Sequence, residues 1–233
     1  MANFASLNVL FIMPEILFQL TEDGSHTLYL PEMDEHYHSV HGAIQESRHV
    51  FINAGFKACA AQQPRVFEVG FGTGLNALLT AIEAGKSGRK VVYTSVELYP
   101  LTLEQALQLN YGKMLGEEAL FATLHQVAWN EAVSVTDSFD LEKVEADFAS
   151  MSMGENEYDL IYFDAFAPNK QEDLWQQEIF DRLFRSLRPD GIFVTYCAKG
   201  VVRRMLQASG FVVERLPGPP GKHEMLRGRK PSF

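Results

Sequence analysis

The 233-residue sequence predicts an α/β fold: a parallel sheet with helices on both faces, preceded by a β-hairpin-rich extension. Three observations predict it. From Arg65 onward short apolar strands alternate with helical stretches, the pattern of βα units wound into one sheet. A glycine-rich turn, Gly70-Phe71-Gly72-Thr73-Gly74, joins the first of these strands to the first of these helices. The length suits one full α/β domain with a modest extension and is short for two independent enzymatic domains.

The elements follow in order. Up to about Ala60, strand-like pieces such as Thr27-Leu28-Tyr29 and His49-Val50-Phe51-Ile52 are punctuated by Asp23-Gly24, Pro31 and Gly42. The chain therefore divides into a β-rich extension, residues 1–60, and a Rossmann-like domain, residues 61–233. In the second part the expected core strands are Val66 to Val69, Val91 to Val96, Leu160 to Phe163 and Ile192 to Tyr196. Helices are expected over Leu75 to Ala84, ending at Gly85; over Leu174 to Leu187, ending before Pro189-Asp190-Gly191; and over Gly200 to Ala208, ending near Gly210. Val133-Ser134-Val135, Thr136-Asp137-Ser138 and Phe139 to Ala146 read as a hairpin inserted before the third core strand.

Composition narrows the class. Apolar residues make up 46% of the chain and charged residues 21%, as in an ordinary soluble globular protein. The apolar stretch Leu7 to Leu20 carries Pro14 and Glu15 with no basic residue before it, so it resembles neither a signal peptide nor a membrane span, and a cytoplasmic location is expected. Cys59 and Cys197 fit no metal or redox spacing and read as small buried side chains. His36-x-His38-x₂-His41 lacks a Cys or carboxylate at ligand spacing, so no metal is expected. The net charge of −10 is uneven: residues 182–233 hold 11 Lys/Arg against 3 Asp/Glu, a net of +8, which leaves −18 on residues 1–181. A basic carboxyl-terminal region on an acidic protein is the pattern that docks a polyanion on one side only.

The candidate chemistry lies where strands end. Glycines at 70, 72 and 74 permit a tight turn and let backbone N–H groups approach a ligand at the positive end of the following helix. Glu97 closes the strand Val91 to Val96, at the position where doubly wound sheets place an acceptor for ribose hydroxyls. The spacing is Gly-x-Gly-x-Gly and not the Gly-x-Gly-x-x-Gly of dinucleotide enzymes, which favours S-adenosylmethionine, a cofactor with no pyrophosphate to cradle. Asp147 follows the third strand, in place to contact an adenine amine. Glu68 is expected either to orient the methionine end of the cofactor or to hydrogen-bond the loop, and Asn76 opens the helix beside it. The apolar strand Leu160 to Phe163 runs into Asp164-Ala165-Phe166-Ala167-Pro168-Asn169-Lys170. A carboxyl at that edge can accept a hydrogen bond from a substrate amine and favour loss of its ammonium proton, and Phe166 can wall the pocket or stack on a base.

These residues resemble a family: the tRNA (5-methylaminomethyl-2-thiouridine)-forming methyltransferases, that is, the methyltransferase half of the bifunctional MnmC enzymes and their stand-alone MnmD-type relatives. Matching stretches are Glu35 to Phe51, Glu68 to Asn76, Glu97 with Pro100-Leu101, Asp147, Asp164 to Lys170 with Asp173 and Trp175, Lys199 to Gly210, and Gly221 to Gly228. The Asp164 to Pro168 loop and the Lys222-His223-Glu224-Met225-Leu226 tail are the specific ones. The resemblance implies methyl transfer from S-adenosylmethionine to the amine of 5-aminomethyl-(2-thio)uridine at the tRNA wobble position. Gly70, Gly72, Gly74, Glu97 and Asp147 are then cofactor contacts, with Glu68, Asn76 and Asp164 beside them, and Asp164 with Phe166 the catalytic pair. Two positions depart from the family: Ala165 where Gly is frequent and His38 where Phe is common.

The fused relatives carry a second, flavin-dependent domain, which this sequence is not expected to encode, so upstream enzymes must install the aminomethyl group. Lys170, Lys199, Arg203, Arg204, Lys222, Arg227 and Arg229 are the expected RNA contacts. Two other readings remain at this point: methylation of a small-molecule or protein amine, and a non-catalytic S-adenosylmethionine-binding module.

Overall fold

The computed structural model describes residues 15–232. Of the apolar stretch Leu7 to Leu20, residues 7–14 lie outside the described residues. A small antiparallel sheet comes first, β1 (Leu17–Leu20), β2 (His26–Leu30) and β3 (Glu35–His36), in that order. Helix α1 (Ala43–Ser47) follows and runs directly into a π-helical segment, Arg48–Phe56. This corrects the strand expected over His49 to Ile52. The segment is wedged between helix α2 (Leu75–Ser87) and strands of the main sheet, and Val50, Phe51, Ile52 and Phe56 are all buried. A run of adjacent buried apolar residues does not distinguish a strand from a helix packed on several sides, and tertiary packing outweighs the β propensity of Val and Ile.

The main sheet has eight strands in the order β10-β11-β9-β8-β4-β5-β7-β6. These are β4 (Arg65–Val69), β5 (Val91–Glu97), β6 (Ala132–Thr136), β7 (Phe139–Glu145), β8 (Tyr158–Phe163), β9 (Leu187–Thr195), β10 (Val212–Pro217) and β11 (Glu224–Arg229). Strands β4, β5, β7, β8 and β9 are mutually parallel, while β6, β10 and β11 pair antiparallel at the two ends. The predicted hairpin exists, but its second strand is itself the third parallel core strand and not an insertion ahead of it. Strand order reverses at β4, with β5 on one side and β8 on the other, and such a switch point leaves a crevice at the carboxyl ends of the strands.

The two faces of the sheet are covered differently. Val66, Tyr93, Leu141, Leu160 and Tyr162 pack under α2, the π-helical segment and the helices α4 (Tyr111–Leu115) and α5 (Glu118–Gln126), which follow the short α3 (Leu103–Leu107). Phe67, Val69, Ile161, Phe163 and Phe193 pack under α6 (Gln177–Ser186) and α7 (Gly200–Ser209). Helix ends differ from expectation in two places. Helix α2 continues through Gly85 and stops at Gly88, which takes the left-handed conformation (φ 67°) that a Cβ would disfavour. Helix α6 begins at Gln177, after a separate 3₁₀ turn over Glu172–Leu174. Among the described residues no helix is long and apolar enough to cross a membrane.

Candidate active site

The crevice at the switch point holds the predicted glycine loop. Gly70, at φ 91°, brings the chain so close to the end of β8 that a Cβ would lie 3.0 Å from the Asp164 carbonyl oxygen. The loop is tied to the next strand by the Gly72 N–H, which donates to Glu97 Oε2 (2.9 Å), while Tyr99 N–H donates to the other carboxylate oxygen (3.0 Å). Glu97 therefore stands at the carboxyl end of β5 with its orientation fixed by two backbone donors. Asp147 is exposed two residues beyond β7 and accepts from the Ala149 N–H (2.9 Å). Glu97 and Asp147 thus stand as acceptors at the ends of successive strands beside a tight backbone turn, a set that fits an adenosine bearing a sulfonium and no pyrophosphate.

Glu68 and Asn76 sit deeper than expected. Glu68 is 1% exposed, beneath the loop, and its Oε2 accepts from Ser95 Oγ (2.6 Å). Asn76 is buried in the first turn of α2, and its Nδ2 donates to Asp164 Oδ2 (2.8 Å). Both support the site from below.

Asp164 follows β8, its N–H held by the Val69 carbonyl (3.1 Å), and its carboxyl lines a cavity of about 240 Å³. Glu35, Tyr37, Glu46, Phe166, Tyr196 and Lys222 also line it. Burial, with the negative charge of Glu46 adding to it, pushes the Asp164 carboxyl up to about 7. A carboxylate of that basicity divides between its two forms at neutral pH, the condition under which it exchanges protons with an amine most readily. Phe166 is fixed at both ends of its backbone, by Gln171 Oε1 accepting from its N–H (3.1 Å) and Trp175 Nε1 donating to its carbonyl (2.8 Å). Its ring meets Tyr37 edge-on, centroids 5.1 Å apart.

Several residues of this pocket were not legible from spacing. The strap from Glu35 to Gly42 crosses from the small sheet to the glycine loop, where the Tyr37 ring lies 3.2 Å from the position a Gly72 Cβ would take. His38, the departure from the family, is buried and shares a 2.7 Å hydrogen bond with Thr73 Oγ1 in the loop. Burial drives its imidazole down to about 4, so it is neutral at physiological pH. Glu46 accepts from the Ser39 N–H (2.9 Å) and from Lys222 Nζ (2.7 Å). Burial opposes its charge, yet the Lys222 cation holds the carboxyl below the ordinary range. Lys222 also lies 4.0 Å over the Tyr196 ring, whose hydroxyl donates to the Ala165 carbonyl (2.9 Å). Tyr37, His38 and Glu46 were marked in the sequence only by lying in a stretch that carries the family resemblance, Lys222 was expected as an RNA contact and not as part of the pocket, and Tyr196 only as the end of a core strand.

The expected RNA contacts separate into two groups. Lys222 belongs to the pocket, Lys170 Nζ donates to the Met33 carbonyl (2.7 Å), and Arg227 pairs with Glu214 (2.7 Å). Lys199, Arg204 and Arg229 are exposed, and Arg203 is half-buried. His36, His38 and His41 have three different partners, Gln19, Thr73 and Glu22. Cys59 and Cys197 are buried free thiols.

A family model described as S-adenosyl-L-methionine-dependent methyltransferase matches residues 115–231, half of the chain. The chain belongs to that family. The methyltransferase is 31% identical over 228 residues to the tRNA 5-methylaminomethyl-2-thiouridine biosynthesis bifunctional protein MnmC of Cupriavidus metallidurans, covering 90% of this chain and 33% of that one. It is 34% identical over 239 residues to the MnmC of Burkholderia vietnamiensis, covering 93% and 36%. It thus spans about a third of the length of these curated relatives. In fold it matches the crystal structure of MnmC2 from Aquifex aeolicus with a TM-score of 0.75, covering 95% of this chain and 72% of that one, at 24% identity. A spermidine synthase from Thermotoga maritima matches at a TM-score of 0.54 and 13% identity, covering 94% and 80%. The resemblance drawn from the residues is borne out by these relatives, and the cofactor of the methyltransferase is S-adenosyl-L-methionine.

Proposed function

We propose that this methyltransferase N-methylates the aminomethyl group of 5-aminomethyl-(2-thio)uridine at the wobble position of tRNA, giving 5-methylaminomethyl-(2-thio)uridine. The observation that carries the reading is Asp164: a carboxyl with its basicity raised to about 7, in the lining of a small pocket and one hydrogen bond from the helix that opens at the glycine loop. S-adenosyl-L-methionine supplies an electrophilic methyl group. The chain's own contribution is to hold and deprotonate the acceptor. Asp164 accepts the hydrogen bond of the incoming ammonium, takes its proton and leaves the nitrogen lone pair free, while Phe166 and Tyr37 wall the base away from water.

In this reading Gly70, Gly72, Gly74, Glu97 and Asp147 hold the cofactor, residues 1–60 are an extension of the domain spanning 61–233, and the strap from Glu35 to Val40 within that extension lines the pocket. A wobble base is displayed in a loop and is splayed outward at little cost, so it can enter such a pocket without a long duplex being opened. Docking uses the cations exposed at the surface, Lys199, Arg204 and Arg229, with the half-buried Arg203 beside them. The aminomethyl group is made by other enzymes, and the work takes place in the cytoplasm. The test is turnover of S-adenosyl-L-methionine with tRNA carrying the unmethylated aminomethyl group against free amines and protein, read by nucleoside mass spectrometry. Methylation of tRNA alone is expected; equal methylation of a free amine would overturn the substrate.

A further inference from the structure

A second cavity, of about 390 Å³, shares its walls with the acceptor pocket. Ile44 and Gln45 of α1 line the second cavity, while the next residue, Glu46, lines the acceptor pocket. Pro220 and Lys222 divide between the two in the same way. The elements common to both are therefore α1 and the loop that follows β10. They are tied together by the Lys222–Glu46 ion pair (2.7 Å) and by His49 Nε2, which donates to the Pro217 carbonyl (2.8 Å). Above them Val40, His41, Pro220 and Gly221 are exposed, and His41 lies against Gly221, so one open surface links the acceptor pocket to the second cavity.

The lining combines one uncommitted cation with amides and an apolar wall. Arg48 is exposed, and among the described residues its guanidinium has no hydrogen bond and no ion pair, so it offers a full set of donors to an anion. Gln45 and Asn53 add amides; Lys57 Nζ donates to Asn53 Oδ1 (3.2 Å), which leaves Nδ2 as a donor. Ile44, Met114, Leu115 and Pro220 supply apolar surface. Asp23 lines the cavity as well, accepting from Thr21 Oγ1 (2.9 Å) and from the N–H groups of Ser25 (2.9 Å) and Gln45 (3.0 Å). That carboxylate disfavours a bare inorganic anion, whereas a nucleotide brings N–H donors on its base together with its phosphate.

We propose that this cavity is a second RNA subsite, which takes the unpaired nucleotide next to the wobble uridine, its phosphate on Arg48 and its base between the apolar wall and the Gln45 and Asn53 amides. The inference rests on the tRNA reading above. Single-stranded loops are recognised in this manner, by splaying bases outward and hydrogen-bonding their edges. The volume falls within the range of pockets that hold a small ligand, roughly 300–1,000 Å³. Contacts here, remote from the reacting amine, hold the wobble base in the acceptor pocket, an advantage that a free amine lacks. Arg48 lies in the acidic part of the chain, residues 1–181, outside the expected RNA contacts.

Turnover of tRNA by the parent protein tests that reading, and the ratio of variant to parent tests the cavity. Arg48→Ala should raise the KM for tRNA roughly tenfold and lower the magnitude of the salt slope by about one unit, with kcat and cofactor Kd within about twofold. Asn53→Ala removes no charge and should raise KM about two- to tenfold with the salt slope unchanged. Both side chains are exposed, and cofactor Kd by calorimetry reports that each variant is folded. An anticodon stem-loop RNA made abasic on the 5′ or the 3′ side of the wobble uridine should bind less well to the parent. At one of those two positions the loss should not add to that of Asn53→Ala, because either change removes the same contact. Parent-like KM and salt slope in Arg48→Ala, or losses that multiply independently at both positions, would overturn the subsite and leave the tRNA reading intact. A parent protein without turnover on tRNA overturns both.

Discussion

The two faces of the central sheet differ in kind. The face under α6 and α7 is an almost pure aromatic and aliphatic seam, in which Phe163 packs against Trp175, Phe180 and Phe193 at centroid distances of 4.9, 5.6 and 5.8 Å. The face under α2 carries a buried polar row, Glu68, Ser95, Lys143 and Tyr162, in register across four parallel strands, with Asn76 and Thr80 above it on α2. One face holds the strands rigid and the other roots the active site. The difference teaches where chemistry is tolerated: buried polar groups cost stability unless paired, so a network of them under a glycine loop is kept for what it orients above.

Five substitutions or conditions would break or sharpen that contrast. The largest effect on chemistry is expected from Asp164→Ala, which should lose about 10²–10⁴-fold in turnover while cofactor affinity by calorimetry survives. Turnover within threefold of the parent would remove Asp164 from the reaction. On the opposite face Phe180→Ala should cost about 3–5 kcal/mol in denaturant unfolding through the cavity it leaves, with the activity per folded molecule unchanged; a specific loss of turnover would show that the aromatic seam also tunes the site.

Titration distinguishes the faces next. Because Glu46 adds negative charge beside Asp164, Glu46→Gln should move the rising limb of the kcat/KM pH profile from near pH 7 to lower pH; movement the other way would mean that Lys222 and not Glu46 dominates the local field. Glu68 has a folded value of about 8 against an ordinary 4.5, so its contribution to stability is complete below the ordinary value and disappears as pH rises through about 8. Melting temperature should therefore decline more between pH 5 and pH 8 in the parent than in Glu68→Gln, and parallel curves would contradict the buried acid.

The smallest effect is expected at the surface, away from both faces. Paired Arg203→Glu and Arg204→Glu exchange should weaken tRNA binding and lower the magnitude of the salt slope by about one unit for each phosphate no longer neutralised, leaving cofactor affinity intact. Unchanged affinity and salt dependence would place the RNA on another surface.

The glycine loop, Glu97 and the Asp164 loop were legible in the sequence because each is a local signal: a turn that needs positive φ, or a polar residue that ends an apolar strand. Within the π-helical Arg48–Phe56, His49 to Ile52 reads as a strand in the sequence because continuous burial erases the periodicity that separates the two. The roles of Tyr37, Glu46 and Lys222 in the pocket had no local signal, since Lys222 meets Glu46 across 176 positions of chain. By itself the sequence determined the glycine turn, the core strands beside it, the helices that follow and the residues at the strand ends, since backbone preference and apolar patterning act over a few neighbours. Only the tertiary structure decided which carboxyls are buried, which lysines are engaged in the interior and how Glu68, Asn76 and Asp164 connect, since desolvation and hydrogen bonding depend on groups that the chain brings together from distant positions.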